Sequence, residues 1–196
     1  MSDHHNIPTE DKILMLDPQY VNVKDFEADG PILDIGGGGE GVIGKLKGDQ
    51  VVAIDTSLEE LKEAPPGPLK VVMDAANLTF LDESFAGATA FFTFMFIDPQ
   101  NQQQVFNEIF RVLKPGSKFR IWEIVLEPVE DKNKQAIAFP IMIKLPQEEI
   151  RTGYGAPPPP HKYDIRHYVS LAQNAGFRGD DYDKEGQVFY LELSKP

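Results

Sequence analysis

The 196-residue chain contains no cysteine. That excludes disulfides, thiolate-bound zinc and a cysteine nucleophile, and it suits the reducing cytoplasm expected for this protein. There is no secretory apolar core and no hydrophobic run of membrane-spanning length, so no membrane association is expected. Basic residues are scarce: 19 Lys and Arg stand against 31 Asp and Glu, for a net charge of −12. Such a field repels polyanions and argues against nucleic acid as a partner. Apolar residues make up 41% of the chain, enough for a substantial core. A single domain over residues 1–196 is expected. His4 and His5 sit in a polar N-terminus and read as solvated, and no metal site is expected.

Residues 1–30 are polar around a short apolar patch, Ile13 to Leu16, and read as an N-terminal arm or helix laid against the domain. A strand–helix rhythm follows. Strands are predicted at Pro31–Ile35, Val51–Asp55, Leu69–Asp74, Ala88–Phe94 and Lys118–Val125. Ser57-Leu58-Glu59-Glu60 has capping-box spacing and opens a short helix. Apolar residues at Val105, Phe106, Ile109, Phe110, Val112 and Leu113 give a helix over Gln102–Leu113. Near-continuous apolar strands alternating with helices imply a doubly wound α/β fold with a mostly parallel sheet. Residues 127–163, with four prolines at 157–160, read as an irregular insert or lid after the fifth strand. A helix over Asp164–Ala175, a short strand near Phe177–Tyr182 and a strong last strand, Val188–Leu193, close the chain.

The most informative segment is Leu33-Asp34-Ile35-Gly36-Gly37-Gly38-Gly39-Glu40-Gly41. Glycines admit close approach of backbone N–H groups to a ligand. Gly36, Gly38 and Gly41 satisfy the dinucleotide spacing, and Asp55 follows as a candidate ribose acceptor. Asp34 speaks against a dinucleotide, because its carboxylate would face a pyrophosphate in a partly dry site. S-adenosylmethionine carries no phosphate, and its ammonium and sulfonium groups suit a neighbouring acid. Asp55, ending the second strand, can accept from both ribose hydroxyls, and Asp74, ending the third, from the adenine amine.

These motifs resemble the class I S-adenosylmethionine-dependent methyltransferases of small-molecule type, over roughly residues 31–125 and 164–193. Besides the glycine loop, the resemblance rests on Ala53-Ile54-Asp55-Thr56-Ser57, Met73-Asp74-Ala75, Phe80 to Phe85, Arg111-Val112-Leu113-Lys114-Pro115-Gly116 and Ala175-Gly176-Phe177. It implies a seven-stranded sheet ending in an antiparallel hairpin. It implies that Gly36 and Gly38 pass the methionine moiety, that Thr56 lies against the adenine, and that Asp74 and the Ala75 backbone read the adenine edge. Thr93 and Phe94 would line the space around the sulfonium. Glu40 stands where the family has its third glycine, and nothing in the sequence assigns it a role.

Methyl transfer from a sulfonium requires alignment and exclusion of water more than a fixed catalytic group, so no catalytic residue is named. The chain after the fourth strand reads Thr93-Phe94-Met95-Phe96, unlike the Pro-Pro-aromatic signature of nucleobase amine methylation. A small-molecule acceptor is expected. Met95 and Phe96 are pocket candidates, with Tyr154, His161 and Tyr163 from the insert. Asp98 and Glu123 follow the fourth and fifth strands but lack the neighbouring pattern of a magnesium site. The protein is expected to be a monomer or a homodimer, the dimer using the insert with Ile141-Met142-Ile143 as an edge strand. Two other functions stay open: a non-catalytic cofactor-binding scaffold and a nicotinamide-dependent oxidoreductase.

Overall fold

The structure, a computed structural model, describes residues 9–196; His4 and His5 lie outside the described residues. Strands Ile32–Ile35 (β3), Val51–Asp55 (β4) and Leu69–Val72 (β5) form one half of the main sheet. Phe85–Phe91 (β6), Leu113–Ile124 (β7), Arg178–Glu185 (β10) and Val188–Ser194 (β11) form the other. The order is β10-β11-β7-β6-β3-β4-β5, seven strands in all. β11 runs antiparallel to both β7 and β10, and the remaining pairings are parallel. All four residues of β3 are buried, which explains the unbroken apolar run around Asp34.

Strand order reverses between β3 and β6, the place where open parallel sheets leave a crevice at their carboxyl ends. Val42–Lys47 (α1) and Leu58–Glu63 (α2) follow β3 and β4, and Pro99–Val112 (α3) and Ile165–Ala175 (α4) follow β6 and the insert. The capping chemistry read from the sequence is present: Glu60 N–H donates to Ser57 Oγ at 3.2 Å. Asp164 caps α4 by accepting from the Arg166 and His167 N–H groups. Alternation along β7 separates two faces. Phe119 packs with Phe94, Phe106 and Phe177 beneath α3 and α4, whereas Trp122 meets Phe26, Phe91 and Tyr190 on the opposite side.

Three expectations about elements change. The fourth strand ends at Phe91, and residues 94–96 form a 3-10 turn instead. Phe92 adopts φ +50°, a conformation costly for an aromatic residue, and turns the chain out of the sheet. The N-terminal arm is not helical over its apolar patch but forms strands Ile13–Met15 (β1) and Gln19–Asn22 (β2). The insert is not irregular: Ala136–Lys144 (β8) and Glu149–Ala156 (β9) make an antiparallel hairpin. β9 pairs along β8, while β1 and β2 pair in parallel with successive segments of β8. Ile141 to Ile143, expected at an edge, therefore lie inside this second sheet, with partners in both β2 and β9.

Candidate functional site

The carboxyl ends of β3, β4 and β6 open into a cleft of about 970 Å³. Its floor is the glycine loop. A Cβ on Gly36 would come within 2.5 Å of the Thr93 hydroxyl, and one on Gly38 within 2.5 Å of the Glu60 Cβ. Gly36 also has φ +70°, which other residues rarely adopt. The loop thus runs closer to its neighbours than any side chain allows. Thr93 Oγ1 donates to the Ile35 carbonyl at 2.8 Å and ties the end of β3 to the turn after β6.

Asp34 is 3% exposed, and its Oδ1 accepts from the Thr89 hydroxyl at 2.7 Å. Burial pushes its pKa up to about 7, and the Asp55 charge adds to the rise; the Thr89 bond only partly offsets them. Asp55 is half-buried and uses Oδ1 to accept the Ser57 N–H at 2.8 Å. Asp74 is exposed, with Oδ1 taking the Ala76 N–H and Oδ2 the Asn77 side-chain amide. Turn chemistry and cleft lining therefore coexist at both residues. Thr56, Ala75, Thr93 and Phe96 also line the cleft.

Phe94 does not line it. Its ring lies in the core against Phe106, at 4.9 Å, and Tyr168, at 5.6 Å, because the 3-10 turn points it beneath α3. Met95 is buried beside it and does not reach the cleft either. His161 and Tyr163 are placed apart from the lining. His161 Nε2 lies 3.3 Å from His167 Nδ1, and the Tyr163 ring stacks on His167 at 4.7 Å.

Tyr154 does reach the cleft, with Gly153 and Gly155, because β9 lies across its mouth as a roof. The Tyr154 ring stacks on Phe92 at 5.4 Å and 14°. Its hydroxyl donates to Glu40 Oε2 at 3.1 Å, and Thr152 Oγ1 donates to Glu40 Oε1. Burial and the Glu40 charge hold the Tyr154 phenol above its ordinary range. Glu40 thus joins the glycine loop to the roof. Lys45 of α1 adds an ion pair to Glu148 in the hairpin turn at 3.1 Å. The placement of Glu40 in a glycine loop is the signal available in the sequence; its partners, more than a hundred residues away, are not.

Glu123, at the end of β7, is fully buried. It accepts the Ile124 N–H at 3.2 Å and the Met95 N–H at 3.4 Å, holding the turn after β6. Burial pushes its pKa to about 8. Asp98 is exposed and caps α3 through the Gln100 N–H. Among the described residues, no group of three or more His, Asp or Glu side chains is placed to hold a metal ion, and no helix is long and apolar enough to cross a membrane.

Residues 33–121 match the methyltransferase domain family, a span that begins at the first glycine-loop strand and ends inside β7. The architecture matches solved methyltransferases. Over these residues the chain resembles a methyltransferase domain, and its fold is that of solved methyltransferases. An S-adenosylmethionine-dependent methyltransferase from Methanosarcina mazei is 21% identical, with a TM-score of 0.61 over 87% of this chain and 94% of that one. One from Mesorhizobium loti is 12% identical at the same TM-score of 0.61, again over 87% and 94%. The PH0226 protein of Pyrococcus horikoshii is 21% identical, with a TM-score of 0.61 over 85% and 83%. At these identities the likeness speaks for the fold. No curated protein matched by sequence. The glycine loop, Asp55 and Asp74 fall within the matched span, whereas the second sheet falls outside it.

Proposed function

We propose that the protein transfers a methyl group from S-adenosylmethionine to a small-molecule acceptor by in-line displacement. The observation that carries this reading is the convergence of Asp34, Asp55 and Asp74 on one cleft with a glycine loop too closely packed for side chains. The donor set fits the cofactor. Asp55 would hold the ribose through Oδ2, since Oδ1 already takes the Ser57 N–H. Asp74 and Ala75 would meet the adenine edge with Thr56 beside it, and Gly36, Gly38 and Asp34 the methionine end. Thr93 faces this space and Phe94 does not. When bound, the cofactor supplies an electrophilic methyl on a sulfonium.

The chain's own part is to bind, orient and exclude water. The β9 roof over the cleft and the Phe92 and Tyr154 rings support that role. A roofed cleft favours a small acceptor over a polymer, and the net charge of −12 disfavours nucleic acid. A cytoplasmic setting agrees with the absence of cysteine. A nicotinamide dinucleotide would set its pyrophosphate among these carboxylates, with no basic side chain in the lining among the described residues.

Calorimetry with S-adenosylmethionine tests the reading. Saturable binding that Asp55→Ala weakens strongly is expected. No saturable binding at millimolar ligand, or tight NADH binding in its place, would overturn it.

A further inference from the structure

The cleft is lined by charge of one sign. Asp55 and Asp74 are joined there by Glu40, Glu60, Glu63 and Asp98, with Asp34 partly neutral near pH 7 through burial, and among the described residues the lining contains no Lys, Arg or His. Glu60 is itself pushed toward the protonated form, by burial first and then by Glu63, Asp55 and Glu40, as expected where carboxylates crowd. Lys45, the cation closest in sequence to the loop, is committed to Glu148 in the hairpin. Of the aromatic residues near the turn after β6, Phe96 is 53% exposed and Tyr154 partly exposed at the cleft, whereas Phe91 and Phe92, which border it from behind, are buried. Phe91 and Phe92 meet at 4.9 Å, and Phe92 stacks on Tyr154.

Aromatic faces and carboxylates together stabilise an organic cation and penalise an anion. S-adenosylmethionine brings one net positive charge, counting its sulfonium, ammonium and carboxylate. A phenolate, carboxylate, thiolate or phosphate acceptor would have to hold its negative charge beside these acids with no basic side chain to receive it. A neutral amine has no such cost. Its nitrogen lone pair forms the N–C bond as the methyl's C–S bond breaks. The electron pair of that bond stays on sulfur, and the positive charge passes to nitrogen within the same negative field.

We propose, resting on the methyltransferase reading above, that the acceptor is an amine and that the acidic, aromatic cleft selects it. The amine attacks as the free base. An acceptor arriving as ammonium first releases a proton, for which Asp98, exposed at the cleft, is the available carboxylate, and the proton passes on to water. The negative field also favours the ammonium form, so transfer speeds up as pH rises toward the acceptor's own pKa.

The test uses the full chain and charge-matched probe pairs: phenethylamine against 3-phenylpropionate, and butylamine against valerate. Each is titrated calorimetrically into protein saturated with S-adenosylhomocysteine. The amines are expected to bind about tenfold tighter than their carboxylate partners, a difference of the size of one cation–aromatic contact. The preference is expected to shrink at high salt and in Asp98→Asn. Labelled methyl transfer to members of a broader amine panel, with none to matched carboxylic acids or phenols, is the second expected result. Equal or tighter binding of the carboxylates, no ammonium binding at millimolar concentration, or transfer to acids or phenols alone overturns the proposal. If S-adenosylhomocysteine itself fails to bind, the methyltransferase reading falls; if it binds without any preference for amines, only the acceptor class falls.

Discussion

The two sheets of this molecule bury aromatic residues by different rules. In the main sheet, Phe119 and Phe106 sit among helices α3 and α4, and the central strands β3, β4 and β6 are buried and largely apolar on both faces. In the second sheet, β8 alternates buried Ile137, Phe139, Ile141 and Ile143 with less buried neighbours, so only one face packs on the domain. The first pattern builds a support that holds its shape without a ligand. The second builds a cover that shares the apolar core through Ile137, Phe139, Ile141 and Ile143 and is further tied down by Phe139 and Tyr154 on Phe92, Glu40 on Thr152 and Tyr154, and Lys45 on Glu148. The cleft lies between these two parts, with the central buried strands as its floor and the one-sided sheet as its roof.

The largest effect expected from probing this contrast is in the floor. Phe119→Ala removes a fully buried ring and should cost about 3–5 kcal/mol of global stability, read as a lower denaturant midpoint with every probe of structure moving together. A similar loss confined to the second sheet would reverse the assignment of floor and roof.

Next comes ligand binding at the floor. Asp55→Ala should weaken S-adenosylmethionine by roughly 10- to 100-fold, the value of a charge-assisted hydrogen bond or two, with little change in the melting temperature of the free protein. An unchanged dissociation constant by calorimetry would remove Asp55 from the cofactor site.

The roof should respond to its clasp. Glu40→Gln keeps the shape but removes the charge that accepts from Thr152 and Tyr154. Hydrogen exchange over residues 149–156 should accelerate by about tenfold or more, while exchange in β3 and β6 stays as it was. Uniform acceleration would show that the two sheets open as one unit.

The pH dependence belongs to the floor. Asp34 moves from an ordinary 3.8 to about 7 on folding, and Glu123 from 4.5 to about 8, both through burial. Between those values the folded state keeps protons that the unfolded chain has released, so stability falls as pH rises from about 4 to 8 and levels off above. Each group contributes a slope of at most about 1.4 kcal/mol per pH unit. Asp34→Asn should flatten the part below about pH 7, as read from melting temperatures of the ligand-free protein. A wild-type melting temperature that rises across this range would contradict the burial of these two acids.

The smallest effect is at the roof's surface. Lys45→Met breaks a partly exposed ion pair with Glu148 and should change stability by less than about 1 kcal/mol. A larger loss would mean that the hairpin turn, and not Glu40, holds the roof.

The floor was largely legible in the sequence. Its central strands are short apolar runs, its cleft-lining acids stand at strand ends, and its turns carry glycine or a capping Ser57, so local pattern and final position agree. The apolar run continues past Phe91, and by that pattern Phe94 and Met95 look like cleft residues at the end of the strand. The left-handed Phe92 ends that strand, and it is stabilised by Tyr154 and Phe139, which no local pattern reveals. His161 and Tyr163 become pocket candidates through their place in the insert and their chemistry. The chain instead packs Tyr163 against His167, with its backbone paired to Leu126.

The sequence by itself determined the parallel sheet, the glycine loop and the acids around it, because each depends on residues adjacent in the chain and on the fixed periods of strand and helix. Only the tertiary structure decided what covers them. β1 and β2 complete a sheet with a hairpin more than a hundred residues away, and Glu40 acquires partners in that hairpin. The physical reason is that strand pairing and carboxylate hydrogen bonds are satisfied by whichever groups the fold brings near, and sequence distance does not limit which groups those are.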